Sequence, residues 1–527
     1  MVRPTRGDLV AGITVALVLV PQAIAYALLA GVPPVHGLYA AAAAPIVAGL
    51  IGSSPYLQTG PVALTSLLTF GALAPSIAVG TEDYAAHAAL LALIVGATRF
   101  AVGAFKGGFV AYLMSQPVVA AFTLAAAVLI AGSQLPALLG VSVASDNPLV
   151  AGVVALSKPG QWAWVGIGIG VAVLLVTVFG KRLHPAFPGA LVGSLAALVL
   201  AKLVTLGVAN VGSLPSGFLV PSLDLPWTAT PSLLLAGVVI ALVGFAEPAS
   251  IARQYASADR RHWDPDREFM GQGLANLGSG LFGGYPVGGS FSRSALNRLS
   301  GARTRWSGVV TGLAVLATLP AAPLLSDMPK AALAGLIIAS VVPLLNPDPV
   351  WRTRSFSPAQ FGVAVVTFGV SLAAAPRVQW GVIAGVACAL VVHLWRELRL
   401  DIETWRTDDV LNVRPQGVLY FGSAPLLETR ILAELADHPS LDRVKLHLQR
   451  LGRIDLTGAL VLRAITRDLA RAHVPVEIQG VQPHCQRLVE SVFSRDEVGY
   501  TRRPENDLAH DHRVEDTDDS SPRTADA

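Results

Sequence analysis

Long apolar runs fill the first 400 residues of the chain. Ten of them approach the twenty or so residues that a helix needs to cross the hydrocarbon core of a bilayer: 9–30, 85–105, 117–140, 162–180, 187–207, 232–252, 306–325, 331–345, 359–375 and 378–395. Shorter runs, broken by glycine and proline, lie at 38–51, 61–79, 271–283 and 289–299. The pattern therefore predicts an α-helical, polytopic membrane protein with fourteen spans.

Composition divides the chain into two parts. The 527 residues are 53% hydrophobic and 14% charged, but Lys, Arg, Asp and Glu make up roughly 9% of residues 1–400 and roughly 30% of residues 401–527. We therefore expect a membrane domain followed by a soluble one. The apolar runs exclude a soluble enzyme and, because they do not alternate between apolar and polar residues, a β-barrel. A net charge of only +3 excludes a nucleic-acid binder.

The N-terminus and the cysteines add two expectations. The first run continues past Ala30 without a small-residue cleavage pattern, so it predicts a span rather than a cleaved signal peptide. Cys388 and Cys485 lie one in each part, so we expect neither a disulfide nor a ligand cluster. No cofactor and no metal are expected.

Lysine and arginine predict the orientation. With fourteen spans both termini share one side, and the loops on that side hold seventeen basic residues, Arg99 among them, against four on the other side. By the positive-inside rule, both termini are predicted to be cytoplasmic, in the inner (plasma) membrane.

Two short matches indicate an internal repeat. Pro21–Ala25 and Pro248–Ala252 share the pattern P-x-x-I-A, 227 residues apart. Gly49–Gly52 and Gly280–Gly283 precede the two most broken segments, 231 residues apart. Seven spans in each half is an odd number, so the halves must be inverted repeats, which place a substrate site near the bilayer midplane at interrupted helices.

The broken segments carry helix-start signals. Thr59 can cap the third span, with Gly60 and Pro61 in its first turn, and Gly288, Gly289 and Ser290 can do the same for the tenth. Two helix N-termini that converge in a low-dielectric site present free N–H groups and partial positive charge. This arrangement predicts an anion site.

Two charged residues are predicted to lie at membrane depth. Arg293, just inside the tenth span, is either a substrate ligand or the partner of a neighbouring helix, and its cost in the bilayer favours function. Glu247, about fifteen residues into the eighth span, is either a structural partner of Arg293 or of a backbone donor, or a proton-coupling carboxylate.

Polar side chains on neighbouring elements complete the candidate site. Gln22 and Tyr26 lie one turn apart on the first span and can face the same side, although Gln22 can equally bond a neighbouring helix. Ser290, Ser292 and Thr59 offer hydroxyl donors, although serine is also a common packing residue between membrane helices.

At these residues the sequence resembles the SulP family of anion permeases and exchangers, which includes sulfate permeases and prestin. The matching stretches run through the whole membrane part: Pro21–Ala27, Gly31–Tyr39, Gly60–Ala63 and Gly288–Asn297. The resemblance implies a seven-plus-seven inverted repeat of the uracil-permease type, a core domain moving against a gate domain in elevator-like alternating access, and a homodimer.

The resemblance also implies the residues of the anion site. By position these are Gln22, Tyr26, Val62, Phe291, Ser292 and Arg293, and Glu247 falls where proton-linked members carry a glutamate. A sodium-coupled bicarbonate member would carry an aspartate in the eighth span and threonines at the start of the tenth, so sodium coupling is disfavoured.

The C-terminal part alternates between strand and helix patterns over 413–497. With its position after the spans, it resembles a STAS domain, a small α/β module, and implies a cytoplasmic protein partner. The family's Asp-Ser-x-Gly loop corresponds to Asp455–Gly458, with Leu456 at the serine position. We expect a transport domain at 1–400, a linker at 401–412, the STAS domain at 413–500 and a disordered acidic tail at 501–527.

Three functional hypotheses follow. The first is a secondary active transporter of sulfate or, as alternatives within the family, of bicarbonate or a dicarboxylate, by proton symport or exchange. The second is a membrane-anchored regulatory STAS protein, and the third is a nucleobase carrier on the same fold. Charges at membrane depth argue against a passive scaffold, and a Ser-Arg-Ser run argues against a nucleobase site. Fold-level analogy does not choose the anion.

Overall fold

A computed structural model gives the structure of the chain. It describes residues 3–110, 115–184, 187–218, 220–397, 400–493 and 499–500. The chain divides into two compact units, Met1–Ala389 and Leu390–Ala527.

The first unit is built from α-helices and short 3-10 turns, and its last helix continues to Glu397, in the second unit. In the described residues its helices are α1 (Arg6–Ala30), α2 (Pro34–Ile51), α3 (Ala63–Leu73), α4 (Glu82–Ala104), α5 (Gln116–Leu139), α6 (Pro148–Leu156), α7 (Trp164–Leu183), α8 (Gly189–Leu203), α9 (Thr230–Val243), α10 (Ala246–Ala258), α11 (Pro265–Leu281), α12 (Phe291–Leu299), α13 (Trp306–Thr318), α14 (Lys330–Val341), α15 (Asp348–Phe356), α16 (Pro358–Ala373) and α17 (Gln379–Glu397). Two strands of two residues interrupt them, β1 (Thr59–Gly60) and β2 (Gly288–Gly289).

The predicted spans agree with these helices. Every one of the fourteen apolar runs coincides with a helix or, for the eighth, with the pair α9 and α10. Eight helical stretches are long and apolar enough to cross a membrane by length and composition, and four shorter apolar helices accompany them among the described residues. Helices α6 and α15 were not anticipated from the sequence.

Small residues let the helices of this unit approach closely. Helix α4 packs along α11, where a Cβ on Gly96 would lie 2.7 Å from the backbone nitrogen of Leu277 and one on Gly273 would lie 2.5 Å from that of Phe100. Contacts of this kind are typical of membrane helices, since lipid gives them no hydrophobic driving force and packing must supply the attraction.

The second unit contains a mixed sheet covered by helices. Its strands are β3 (Asp401–Thr407), β4 (Val410–Leu419), β5 (Arg443–His447), β6 (Leu451–Ile454), β7 (Val476–Gln479) and β8 (Gly499–Tyr500), and its helices are α18 (Ala424–Asp437), α19 (Leu456–Arg471) and α20 (Pro483–Val492). The strand order is β3-β4-β5-β7-β8, with β6 also paired to β4. Only β3 pairs antiparallel, with β4.

Residues 401–412 are not a linker. They form β3, a tight turn and the start of β4. Their charged residues lie on the solvent side, whereas Leu411 and Val413 are fully buried, and Asp408 takes the positive φ of 52° that a two-residue hairpin loop requires. Composition misled the prediction because only one face of this hairpin is apolar. The predicted acidic tail at 501–527 lies outside the described residues.

The close approach of α4 and α11 gives a stability prediction. Gly273→Ala places a methyl group against the α4 backbone, and overpacking of this kind costs about 1–3 kcal/mol. We expect a melting temperature several degrees below that of the parent in detergent, measured by fluorescence-detected size exclusion after heating. Gly362→Ala on α16 is the control, because a Cβ there meets nothing within 4 Å. Equal melting temperatures for the two variants would contradict the packing argument.

Candidate functional site

The two most broken segments of the sequence meet in space. Thr59 pairs with Gly289 and Gly60 with Gly288, so β1 and β2 form a two-stranded antiparallel ribbon. Each strand is followed within three residues by a helix, α3 after β1 and α12 after β2. The ribbon therefore brings the N-termini of α3 and α12 together, and its antiparallel sense is that expected of equivalent segments in an inverted repeat.

The two helices start differently. Ser290 caps α12 as predicted, its hydroxyl accepting a hydrogen bond from the Arg293 backbone N–H at 3.4 Å. Thr59 does not cap α3, which has Val62 in an extended conformation at its N-cap position and no side-chain cap. The residue before a proline avoids helical torsion angles, so Gly60 cannot lie in the first turn of a helix ahead of Pro61. The helix itself starts at Ala63.

Thr59 instead belongs to a buried polar row along α11. Its hydroxyl accepts a hydrogen bond from Gln272 Nε2 at 2.8 Å, and the same amide nitrogen lies 3.3 Å from the Glu268 carboxylate. Asn276 continues the row and holds the Val287 peptide, accepting from its N–H at 2.9 Å and donating to its carbonyl at 3.2 Å. Sequence reasoning missed this row, although the spacing of four residues between its α11 members was a visible signal.

Arg293 lies at the centre of the ribbon and the helix starts. It is the third residue of α12 and only 1% exposed. Its Nη1 donates to Gln22 Oε1 at 3.2 Å and its Nη2 to the Pro61 carbonyl at 2.8 Å. Its Nε has no hydrogen-bond partner among the described residues. The guanidinium thus joins α1 and the segment before α3, while its Nε N–H remains without a partner among the described residues.

Further predicted residues lie on α1 and at the start of α12. Gln22 and Tyr26 on α1 are both 5% exposed, and Tyr26 interacts electrostatically with Arg293. Phe291 and Ser292 open α12 with exposed side chains, and the Ser292 hydroxyl lies 3.3 Å from that of Ser290. Of the predicted ligands, therefore, Gln22, Tyr26 and Ser290 are buried, whereas Phe291 and Ser292 are accessible.

Glu247 does not lie in the middle of a continuous α-helix. Gly244 and Phe245 separate α9 from α10, and Glu247 stands in the first turn of α10. Pro248 explains the break, because it has no N–H to give to the Gly244 carbonyl and its ring clashes there. The half-buried carboxylate faces the backbone N–H of Phe291 and interacts electrostatically with Arg293. In the described residues these two side chains form no contact ion pair.

Arg99 is a second buried cation that the sequence did not reveal. It was predicted to be a loop residue, but it lies within α4 and is fully buried. Its guanidinium donates to the carbonyls of Ala241 at 2.9 Å, Val287 at 2.9 Å and Ile240 at 3.4 Å. The apolar run at 85–105 does contain Arg99 five residues before the end of α4, and that position was the available signal.

The chemistry of this arrangement suits an anion. Two helix starts, a buried guanidinium with an unused N–H and the exposed Ser292 hydroxyl at the α12 start all offer positive potential. In the part of the chain that the structure describes, no group of three His, Cys, Asp or Glu side chains could hold a metal ion.

Comparison with known proteins decides the family. Residues 5–367 match the family model described as the sulfate permease family, and residues 401–500 match that of the STAS domain. The chain belongs to the sulfate permease family. Its STAS domain thus begins at the β3–β4 hairpin, in agreement with the fold.

Two relatives are similar in sequence to most of this chain. A protein of Mycobacterium tuberculosis (strain CDC 1551 / Oshkosh), named as a probable sulfate transporter, is 33% identical over 94% of this chain and 92% of its own. The chloroplastic sulfate transporter 4.1 of Arabidopsis thaliana is 32% identical over 459 residues. The matched part makes up 80% of this chain and 66% of the Arabidopsis protein.

A solved structure shows the same fold. The murine Slc26a9 anion transporter in its inward-facing state superposes with a TM-score of 0.85 at 19% sequence identity, covering 93% of this chain and 88% of that one. The resemblance to SulP permeases, the fourteen-span inverted-repeat fold and the STAS domain are thereby confirmed.

The polar row on α11 yields a prediction about the scaffold of the site. Asn276→Ala removes both hydrogen bonds to the Val287 peptide and leaves a buried N–H without its acceptor, which costs about 1–3 kcal/mol. We expect a clearly lower melting temperature in detergent. Asn210→Ala, at an exposed position, is the control and should melt like the parent. A parental melting temperature for Asn276→Ala would show that this amide does not hold the segment before β2.

Proposed function

We propose that this protein is a secondary active transporter of small oxyanions, with sulfate as the first substrate to test. The observation that carries the proposal is the buried Arg293 guanidinium at two paired helix starts, with an N–H donor unused among the described residues. The names of the two relatives point to sulfate among the anions that such a site could bind.

The binding site proposed here combines fixed and accessible groups. Arg293 supplies charge, Gln22 holds the guanidinium in place, and the exposed start of α12 offers donors that a substrate can reach. The full set of proposed substrate-binding residues is Gln22, Tyr26, Thr59, Gly60, Val62, Gly289, Ser290, Phe291, Ser292 and Arg293. Oxyanions suit this set because each oxygen can accept from a different donor.

Proton coupling through Glu247 is the second element of the proposal. The carboxylate stands at the first turn of α10, beside the Phe291 peptide and in the electrostatic field of Arg293 and Tyr26. It is therefore placed to respond to an anion bound at the α12 start. In its protonated state it would no longer offset the charge of Arg293, which favours anion binding.

We further propose the setting in which transport occurs. The positive-inside count supports cytoplasmic N- and C-termini in the inner (plasma) membrane. The inward-facing state named for the Slc26a9 structure supports alternating access, and membership of the family supports an elevator-like movement and a homodimer. The STAS domain is proposed to bind a cytoplasmic protein, for which the exposed Leu456 at the start of α19 is one contact candidate.

Transport of sulfate should depend on Arg293. We expect labelled sulfate uptake into proteoliposomes by the parent, and a loss of at least about tenfold in Arg293→Ala, because a hydrogen bond to a charged group contributes about 1.5–3 kcal/mol. Arg293→Lys should retain part of the uptake. Arg377→Ala, at an exposed position, is the control.

The same assay separates the alternatives. Competition by bicarbonate or fumarate that exceeds competition by sulfate would reassign the substrate within the family. If no anion is taken up, or if Arg293→Ala transports like the parent, the transporter proposal is wrong and a regulatory role for the STAS domain becomes the better hypothesis.

Coupling should depend on Glu247. An inward proton gradient is expected to stimulate sulfate uptake by the parent, whereas Glu247→Gln, which mimics the protonated carboxyl, should take up or exchange sulfate without that stimulation. Glu82→Gln is the control, since the Glu82 side chain is 84% exposed. Stimulation that survives in Glu247→Gln would remove proton coupling from the proposal and leave anion binding intact.

A further inference from the structure

Arg99 is a second buried cation close to the proposed site. It is completely buried, and all three of its hydrogen bonds end on backbone carbonyls. Among the described residues no carboxylate pairs with it. An unpaired cation at this depth is costly, so membrane proteins keep such residues chiefly where they serve function.

The three carbonyls belong to the two segments that carry the proposed site. Ile240 and Ala241 lie in the last turn of α9, just before the break that leads to Glu247. Val287 stands immediately before β2 and six residues before Arg293. One guanidinium from α4 therefore holds together the ends of two chain segments that interrupted helices would otherwise leave free.

The surroundings of Arg99 place it directly behind the ribbon. A Cβ on Gly244 would lie 2.6 Å from Arg99 Nη2, and a Cβ on Gly288 would lie 3.6 Å from the Gly244 carbonyl oxygen. On the other strand, a Cβ on Gly60 would lie 3.6 Å from Arg293 Nη2. Arg99 thus reaches the β2 side of the ribbon and Arg293 reaches its β1 side.

The charge of Arg99 remains largely uncancelled. Carbonyl dipoles and the negative end of α9 stabilise the guanidinium, but they carry no net charge. In a low-dielectric environment a fixed cation acts over several ångströms on any ion nearby. An anion at the α12 start therefore experiences two cations, only one of which it can contact.

We propose that Arg99 is a specificity-determining residue that favours divalent over monovalent anions through its fixed positive charge, without contacting the substrate. This inference rests on the proposed transport function. Coulomb energy is proportional to the charge of the anion. Removal of the Arg99 charge therefore lowers the affinity for a dianion by the square of the factor by which it lowers the affinity for a monoanion. A threefold loss for a monoanion would correspond to about a ninefold loss for a dianion.

The test compares anions of different charge in one assay. Apparent KM is measured for labelled sulfate uptake, and nitrate is titrated as a monovalent competitor to obtain its inhibition constant. In Arg99→Met the KM for sulfate should rise by a clearly larger factor than the constant for nitrate. Arg99→Lys keeps the charge but loses the planar fork, so it should preserve most of the parental ratio between the two constants.

The variant Gly244→Ala separates the effect of the position of the Arg99 guanidinium from the effect of its charge. Its methyl group presses on Arg99 Nη2 but leaves the cation in place. We expect a lower melting temperature with an unchanged ratio of the sulfate and nitrate constants. If Arg99→Met does not give monodisperse protein, Arg99→Gln, whose amide nitrogen falls near the position of Arg99 Nε beside the Ala241 carbonyl, replaces it with the same expected outcome.

Failure of this inference can be distinguished from failure of the transport proposal. If Arg99→Met raises both constants by the same factor, or lowers only the maximal rate and the melting temperature, Arg99 is structural and the inference is overturned. If the parent itself takes up no sulfate and Arg293→Ala has no effect, the proposed function has failed instead.

Discussion

The structure of the membrane unit depends on satisfying backbone hydrogen bonds where helices are interrupted. Inside a bilayer an unpaired N–H or carbonyl costs several kcal/mol, so non-helical segments survive only where protein pairs them. Here β1 and β2 provide hydrogen-bond partners for each other, with Thr59 paired to Gly289 and Gly60 paired to Gly288. The pairing also fixes where α3 and α12 begin, and it therefore creates the site that their N-termini share.

Buried cations extend the same principle to neighbouring segments. Arg293 binds the Pro61 carbonyl beside β1, and Arg99 binds the Val287 carbonyl beside β2. Each arginine donates to a carbonyl group of an irregular segment. Because these carbonyls are neutral, they do not cancel the positive charge of either guanidinium. The scaffold and the electrostatic field of the site are consequently produced by the same contacts.

Much of this was predictable from the sequence, and the exceptions share a cause. Apolar runs and the repeat predicted the spans, and Ser290 and Arg293 were placed correctly because capping and helix position are local properties. The α9–α10 break and the start of α3 were missed because Pro248 and Pro61 act on torsion angles that hydropathy does not report. Arg99 and the 401–412 hairpin were missed because tertiary partners, rather than composition, decide whether a charged residue is buried or a polar segment is ordered.

The charges of the proposed site explain why a proton and a divalent anion could travel together. With Glu247 ionised, Arg99 and Arg293 leave a net charge of about +1, which matches a monoanion; with Glu247 protonated, the net charge of about +2 matches sulfate. Binding of a dianion therefore favours the protonated carboxyl, and protonation favours the dianion, since linkage is reciprocal. On this assignment a monoanion gains from the proton only about half the Coulomb energy that a dianion gains, so charge balance couples protons more strongly to divalent than to monovalent substrates.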